Sequence, residues 1–226
     1  MQNRNQHLPW LEDAAVPALQ AKIVGEINTL QRTYVYLHGA GANEDDLISL
    51  GSQLDKEGLH IALRAPIAYG DGWCWYPLNW TDAGLQVDQT VAPHSRDRIA
   101  HQLNHIFNTL GIDNGKVTVI GFSQGAAMAL ATAASNPGLF NEIVLLSGLR
   151  IQHILDHLPD TKGLPRTLVH HGNYDNVVPV AEGRALRDWC ITHNPGGTEY
   201  QEFDMAHTIT PESLADVVRW LQARPV

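Results

Sequence analysis

The chain has 226 residues, 44% of them hydrophobic and 17% charged, with a formal net charge of −9. That length suits one domain with a sizeable core, and the acidic balance argues against nucleic acid or an anionic membrane surface as partner. Residues 1–7 hold no apolar stretch of the signal-peptide kind, and no run reaches the roughly 18 apolar residues of a membrane span, so no stable membrane insertion is expected. Cys74 and Cys190 lie far apart and read as two reduced thiols of a cytoplasmic protein.

Strand-like and helix-like segments alternate, as in a mostly parallel sheet covered by helices on both faces. Strands are expected at 23–28 and 33–38, then a helix at 44–57 after the turn Gly41-Ala42-Asn43. A strand at 60–64 leads into the long segment 65–94, which lacks periodicity and carries Tyr69, Trp73, Trp75, Tyr76 and Trp80. Loops of such length in a compact domain are usually functional. Helix 95–110 places Ile99, Leu103, Ile106 and Leu110 on one stripe behind a Ser95 cap. Strand 116–120 precedes helix 123–135, nearly all small or apolar and hence buried. Strand 142–147 is followed by the short segment 148–166, which leaves no room for a separate lid domain. Strands 167–171 and 198–203 flank helix 181–193, with Ala185, Leu186 and Trp189 on a common face. The last helix begins with Thr210 as cap and Pro211 at its first position, and buries Leu214, Val217, Val218 and Leu221.

The most informative motif is Gly121-Phe122-Ser123-Gln124-Gly125, between the apolar run Val117-Thr118-Val119-Ile120 and the small-residue stretch that follows. G-x-S-x-G in a strand-to-helix turn is a nucleophile elbow, where the glycines permit the tight turn and the serine hydroxyl is held out at the strand tip. A serine hydroxyl needs a base within hydrogen-bond reach and a third group to orient that base. Asp175 and His207 supply these in the chain order Ser, acid, His, each just beyond a predicted strand and so at the same carboxyl edge. Asp204 is a rival acid, on the same strand end as His207. The expected oxyanion donors are the backbone N–H of Gln124, at the helix start, and that of Ala40, in the loop Leu37-His38-Gly39-Ala40-Gly41.

Other polar residues read more plainly. His38 is expected to bond loop backbone near that oxyanion site. His101 and His105 lie four apart on a helix but lack a third ligand, so no metal is expected. His170 and His171 alternate faces of a strand and cannot both enter one site. Trp73, Trp75 and Tyr76 are expected to form an apolar wall for the substrate, since Gly70, Asp71, Gly72 and Pro77 disfavour a regular element there.

With these residues in place, the chain resembles the phospholipase/carboxylesterase family that includes acyl-protein thioesterases. The resemblance runs from Leu37-His38-Gly39-Ala40-Gly41-Ala42-Asn43-Glu44-Asp45-Asp46-Leu47 through Arg64-Ala65-Pro66, Trp75-Tyr76 and the serine block continuing to Leu130. It ends with His171-Gly172-Asn173-Tyr174-Asp175-Asn176-Val177-Val178-Pro179 and His207-Thr208-Ile209-Thr210-Pro211-Glu212. It implies a lidless α/β-hydrolase that cleaves carboxylic esters or thioesters through an acyl-enzyme on Ser123, with Asp175 and His207 completing the triad and no cofactor. It also implies a small-molecule ester or acyl-thioester substrate, a cytoplasmic location and a homodimer. The alternatives are an acyl-protein thioesterase and a binding protein that kept the fold without turnover. Two positions depart from the family pattern: Ala206 stands where glycine usually precedes the histidine, and Pro77 stands where Asp usually follows the Trp–aromatic pair.

Overall fold

The structure, a computed structural model, describes residues 18–27, 31–81, 84–87, 90–150, 155 and 163–223. In chain order the strands and helices are β1 (Ala21–Val24), β2 (Thr33–Leu37), α1 (Gly51–Leu54), β3 (Leu59–Leu63), β4 (Ile67–Tyr69), β5 (Gly72–Cys74), β6 (Leu78–Thr81) and β7 (Gly84–Val87). They continue as α2 (Ala92–Leu110), β8 (Val117–Phe122), α3 (Gln124–Ser135), β9 (Glu142–Leu146), β10 (Arg166–Gly172), α4 (Val180–His193), β11 (Thr198–Phe203) and α5 (Pro211–Gln222).

Among the described residues the central sheet has seven strands in the order β1-β3-β2-β8-β9-β10-β11. β1 runs antiparallel to β3, and every other neighbouring pair is parallel. β2, β3 and β9 are buried at every residue, as continuous apolar runs require when helices cover both faces. One face packs Ile99, Leu103, Ile106, Met128, Leu130 and Leu186 from α2, α3 and α4. The other packs Leu54, Leu214, Val217, Trp220 and Leu221 from α1 and α5 against Tyr34, Tyr36 and Ile120. From β2 the chain steps outward to β3 and later returns to β8 on β2's other side. The strand order thus reverses between β2 and β8, and their carboxyl ends frame the crevice where open α/β sheets place their sites.

Several expectations change. The first strand is Ala21–Val24 and antiparallel, and residue 28 lies outside the described residues. The helix expected at 44–57 is reduced to a 3-10 turn, Leu47–Leu50, and α1. Asn43 competes with the helix there: its side chain accepts from Asp45 N–H, and the next bonds close tight turns from Asp46 N–H to Asn43 O and from Ser49 N–H to Asp46 O. The segment 65–94 contains two hairpins, β4–β5 and β6–β7. Gly70-Asp71, read as a breaker, is the two-residue turn of the first hairpin, with Gly70 at φ 58° and Tyr69 paired to Gly72. The Trp80 side chain and most of segment 148–166 lie outside the described residues.

α2 starts earlier than expected, with Pro93 in its first turn, and Ser95 does not cap it; the Ser95 hydroxyl donates to Trp75 O instead. α5 begins as read. Thr210 Oγ1 accepts from Ser213 N–H at 3.2 Å while Thr210 N–H donates to Ser213 Oγ at 3.0 Å. Both thiols are free and buried, and burial pushes the Cys190 thiol up to about 12, so it stays protonated.

His170 and His171 do point to opposite faces. On the α5 side, His170 is fully buried against the Phe203 ring, and its Nε2–H donates to Asp216 Oδ2 at 3.0 Å. Burial outweighs the attraction of Asp216 and lowers the ring from 6.5 to about 4. As pH falls below 6.5 the unfolded chain takes up this proton, whereas the folded ring refuses it until about 4, so stability is lost across that window. Urea melts at about pH 7 and about pH 4.5 should show the parent losing about 2–3 kcal/mol more than His170→Gln; equal losses would remove His170 as the cause.

Candidate active site

The site begins at the elbow. β8 ends at Phe122, α3 starts at Gln124, and Ser123 between them takes φ 55° and ψ −118°. A non-glycine residue in this region carries strain of about 1–3 kcal/mol and persists only where its surroundings hold it. Here Ser123 N–H donates to Leu146 O at the end of β9, at 2.8 Å. The two motif glycines are required by close approach. A Cβ on Gly121 would lie 2.4 Å from Gly125 O, and one on Gly125 would lie 1.9 Å from Leu37 O. The first turn of α3 therefore rests directly on the backbone at the end of β2.

The three residues singled out in the sequence meet at this edge. Ser123 Oγ lies 2.9 Å from His207 Nε2, and His207 Nδ1 lies 2.7 Å from Asp175 Oδ2. The Asp175 side chain is fully buried. Its other oxygen, Oδ1, accepts from Val177 N–H at 2.9 Å and Val178 N–H at 2.8 Å. Backbone donors thus compensate the buried carboxylate and fix its angle. Behind it, His171 Nε2–H donates to Val178 O at 2.8 Å and closes the turn. The Phe122 ring packs on the imidazole of His207, with centroids 4.9 Å apart. Asp204 is elsewhere, accepting from the Asn173 carboxamide. Ala206 avoids the left-handed region, so the loop before His207 does not need the glycine common at that place. A hydroxyl bonded to an imidazole, whose other nitrogen meets a buried carboxylate, can lose its proton to that ring while attacking a carbonyl.

Ala40 and Gln124 line one cleft. Among the described residues, no carbonyl or side chain accepts from Ala40 N–H or Gln124 N–H, and first-turn amides such as Gln124's have no partner within the helix. The loop carrying Ala40 is held on both sides. His38 Nε2 accepts from Ala65 N–H at 3.0 Å, which makes Nδ1–H the donor to Gly39 O at 2.7 Å. Burial lowers the ring's pKa, so the neutral form that these bonds require is favoured. Gly41 N–H donates to Trp73 O and Trp73 N–H donates to Ala42 O, both at 2.9 Å.

A cleft of about 200 Å³ is lined by Ser123, His207, Ala40 and Gln124 together with apolar residues including Tyr69, Tyr76, Leu78, Phe122 and Leu149. Of the three aromatics expected on a substrate wall, Tyr76 borders the cleft although it is itself fully buried, and the other two lie elsewhere. Trp75 is fully buried, donating from its indole N–H to His38 O at 2.9 Å. Trp73 lies beneath the guanidinium of Arg64, which makes a two-pronged ion pair with Glu44. The Gln124 side chain, which the sequence did not single out, is 1% exposed; it accepts from Trp75 N–H at 2.6 Å and donates to Tyr76 O at 2.7 Å. The described residues hold no cluster of three or more His, Cys, Asp or Glu suited to a metal ion.

The mostly parallel sheet, with an elbow serine at its switch point, defines an α/β-hydrolase. The chain belongs to the phospholipase/carboxylesterase family, whose pattern matches residues 19–224. Acyl-protein thioesterase 1 of Saccharomyces cerevisiae is 27% identical, over 89% of this chain and 96% of its own. The crystal structure of esterase PE8 superimposes with a TM-score of 0.79 at 24% identity, covering 91% of this chain and 98% of that one. A carboxylesterase from Mesorhizobium loti gives a TM-score of 0.79 at 22% identity, over 91% and 95%. Membership places the chain among carboxylic ester hydrolases.

The contact between α3 and the end of β2 has a direct test. Gly125→Ala puts a methyl group into the Leu37 carbonyl and should cost at least about 3 kcal/mol, beyond ordinary overpacking. A denaturant midpoint equal to the parent's would show that the two backbones separate freely.

Proposed function

We propose that Ser123, His207 and Asp175 form the catalytic triad, and that the chain hydrolyses carboxylic esters and thioesters through an acyl-enzyme on Ser123. The observation that carries this reading is the unbroken hydrogen-bond chain from Ser123 Oγ through His207 to Asp175, beside two amides without acceptors. In the first step Ser123 Oγ attacks the carbonyl carbon and its proton passes to His207 Nε2. Asp175 steadies the imidazolium, and the amides of Ala40 and Gln124 take the negative oxygen. The alcohol or thiol leaves with the proton from His207. Water then repeats the attack on the acyl-enzyme, with the same ring as base, and frees the acid.

The lining favours an uncharged acyl group, since the described residues that line the cleft carry no Asp, Glu, Lys or Arg. No helix among the described residues is long and apolar enough to cross a membrane. A cytoplasmic homodimer acting on a small ester or acyl-thioester is the assembly and setting we adopt, following the family resemblance. The second reading, a thioesterase acting on acylated proteins, is favoured by the likeness to Acyl-protein thioesterase 1 over nearly the whole chain.

Ser123→Ala should lower kcat/KM on p-nitrophenyl butyrate by at least about 10³-fold. A fluorophosphonate should add once to the parent, at Ser123, as located by peptide mass spectrometry. Turnover close to the parent's in the variant, or labelling at another residue, would overturn the assignment.

A further inference from the structure

The segment from Trp73 to Tyr76 touches both halves of the proposed oxyanion site and yet places only Tyr76 on the cleft. On one side it grips the Ala40 loop. The Trp75 indole N–H bonds His38 O, and Trp73 pairs through its backbone with Gly41 and Ala42 in an isolated antiparallel bridge. Gly72, next in line, lies so close that a Cβ there would sit 2.0 Å from Gly41 O. On the other side it grips the residue after the nucleophile. The Gln124 carboxamide spans Trp75 N–H and Tyr76 O and so ties the start of α3 to the same short strap. The outer side of the strap is anchored as well, by Ser95 Oγ on Trp75 O and by Arg64 over Trp73.

We infer that the strap Trp73–Tyr76 sets the spacing between the Ala40 and Gln124 amides, with the Trp75 indole N–H and the Gln124 carboxamide as its positioning groups. The two donors come from different strands, β2 and β8, and a tetrahedral oxygen needs both at about 2.7–3.1 Å simultaneously. The ladder between β2 and β8 reaches Leu37 and Gly121, and the donors lie beyond it. The strap is the element that bonds to both donor-bearing segments past that point. Its bonds are short, buried and directed, so they hold the site ready before substrate arrives, which is the condition for electrostatic stabilisation without reorganisation.

This inference rests on the hydrolase reading above, and its test separates the two. Trp75→Phe deletes the indole donor and keeps an apolar ring; Gln124→Met deletes both carboxamide bonds. Each variant retains the amide N–H of residue 124. Because the interaction concerns the transition state, kcat on p-nitrophenyl butyrate should fall about 10–100-fold with KM within about twofold. Affinity for a trifluoromethyl ketone, whose adduct with serine carries the oxyanion, should weaken by the same factor as kcat/KM. A role in stability alone would lower the melting temperature and leave both quantities at parent values in the folded variant. Should either variant fail to fold, Ser95→Ala, a milder change that frees Trp75 O from its outer anchor, gives the same reading, with kcat and ketone affinity falling together. Folded variants with parent kcat and parent ketone affinity, or with a loss confined to KM, overturn the inference. If Ser123 is then still required for turnover, the hydrolase reading stands and only the strap's role falls.

Discussion

The arrangement depends on one close approach, the backbone of Gly125 against the carbonyls of Leu37 and His38, where no side-chain atom fits. That contact lets the first turn of α3 rest on the loop leaving β2. Gln124 and Ala40 then line one cleft although 83 residues lie between them along the chain. A methyl group between the two backbones would force them apart, and amides spread in that way would not converge on a single oxygen. The glycine is therefore needed for an approach between elements as much as for the conformation of the turn.

Charge is handled with the same economy of space. A carboxylate as buried as that of Asp175 is costly unless its oxygens are bonded, and two of its three hydrogen-bond partners are fixed by the local chain. Val177 and Val178 donate from the turn immediately after it, and His171, at the end of β10, closes that turn from behind. The remaining partner is His207, delivered by the loop after β11. The carboxylate therefore has a defined direction before any substrate binds, and it passes that direction to the imidazole. Orientation of the ring is the main service of the acid in such a triad.

Much of this was legible in the sequence because it depends on short-range rules. The elbow is five consecutive residues between a strand and a helix, and the acid and histidine each follow a strand by a few positions, so a parallel sheet brings them to one edge without further information. What was misread depends on contacts between distant segments. Trp75 reads as a substrate wall because large aromatics in a glycine-rich stretch suggest an exposed surface; its burial is decided by His38 O, 37 residues away. Gly70-Asp71 reads as an interruption, yet the same two residues turn a hairpin once the strands beside them find each other. Helix 44–57 fails for the opposite reason: Asn43 offers a local bond that no count of apolar residues reveals. The Gln124 side chain carried no signal beyond its place in the motif, because its partners are backbone atoms of the strap.

The strain at Ser123 is shared with a second residue. Ser147, at the end of β9, also takes a positive φ, 49°. The two serines stand in a stair: Ser123 N–H donates to Leu146 O on β9, and Ser147 N–H donates to His170 O on β10. In each case the left-handed residue leaves its own strand while its amide is captured by the carbonyl edge of the next. Relaxing either serine toward an ordinary φ would break a bond that ends the ladder between parallel strands, in a region buried from water. A net hydrogen bond of about 1 kcal/mol, together with the desolvation of an orphaned carbonyl, is comparable to the strain held there. The sheet edge thus holds Ser123 in an otherwise unfavourable conformation, and the chain continues past it into Gln124, whose amide is the proposed oxyanion donor.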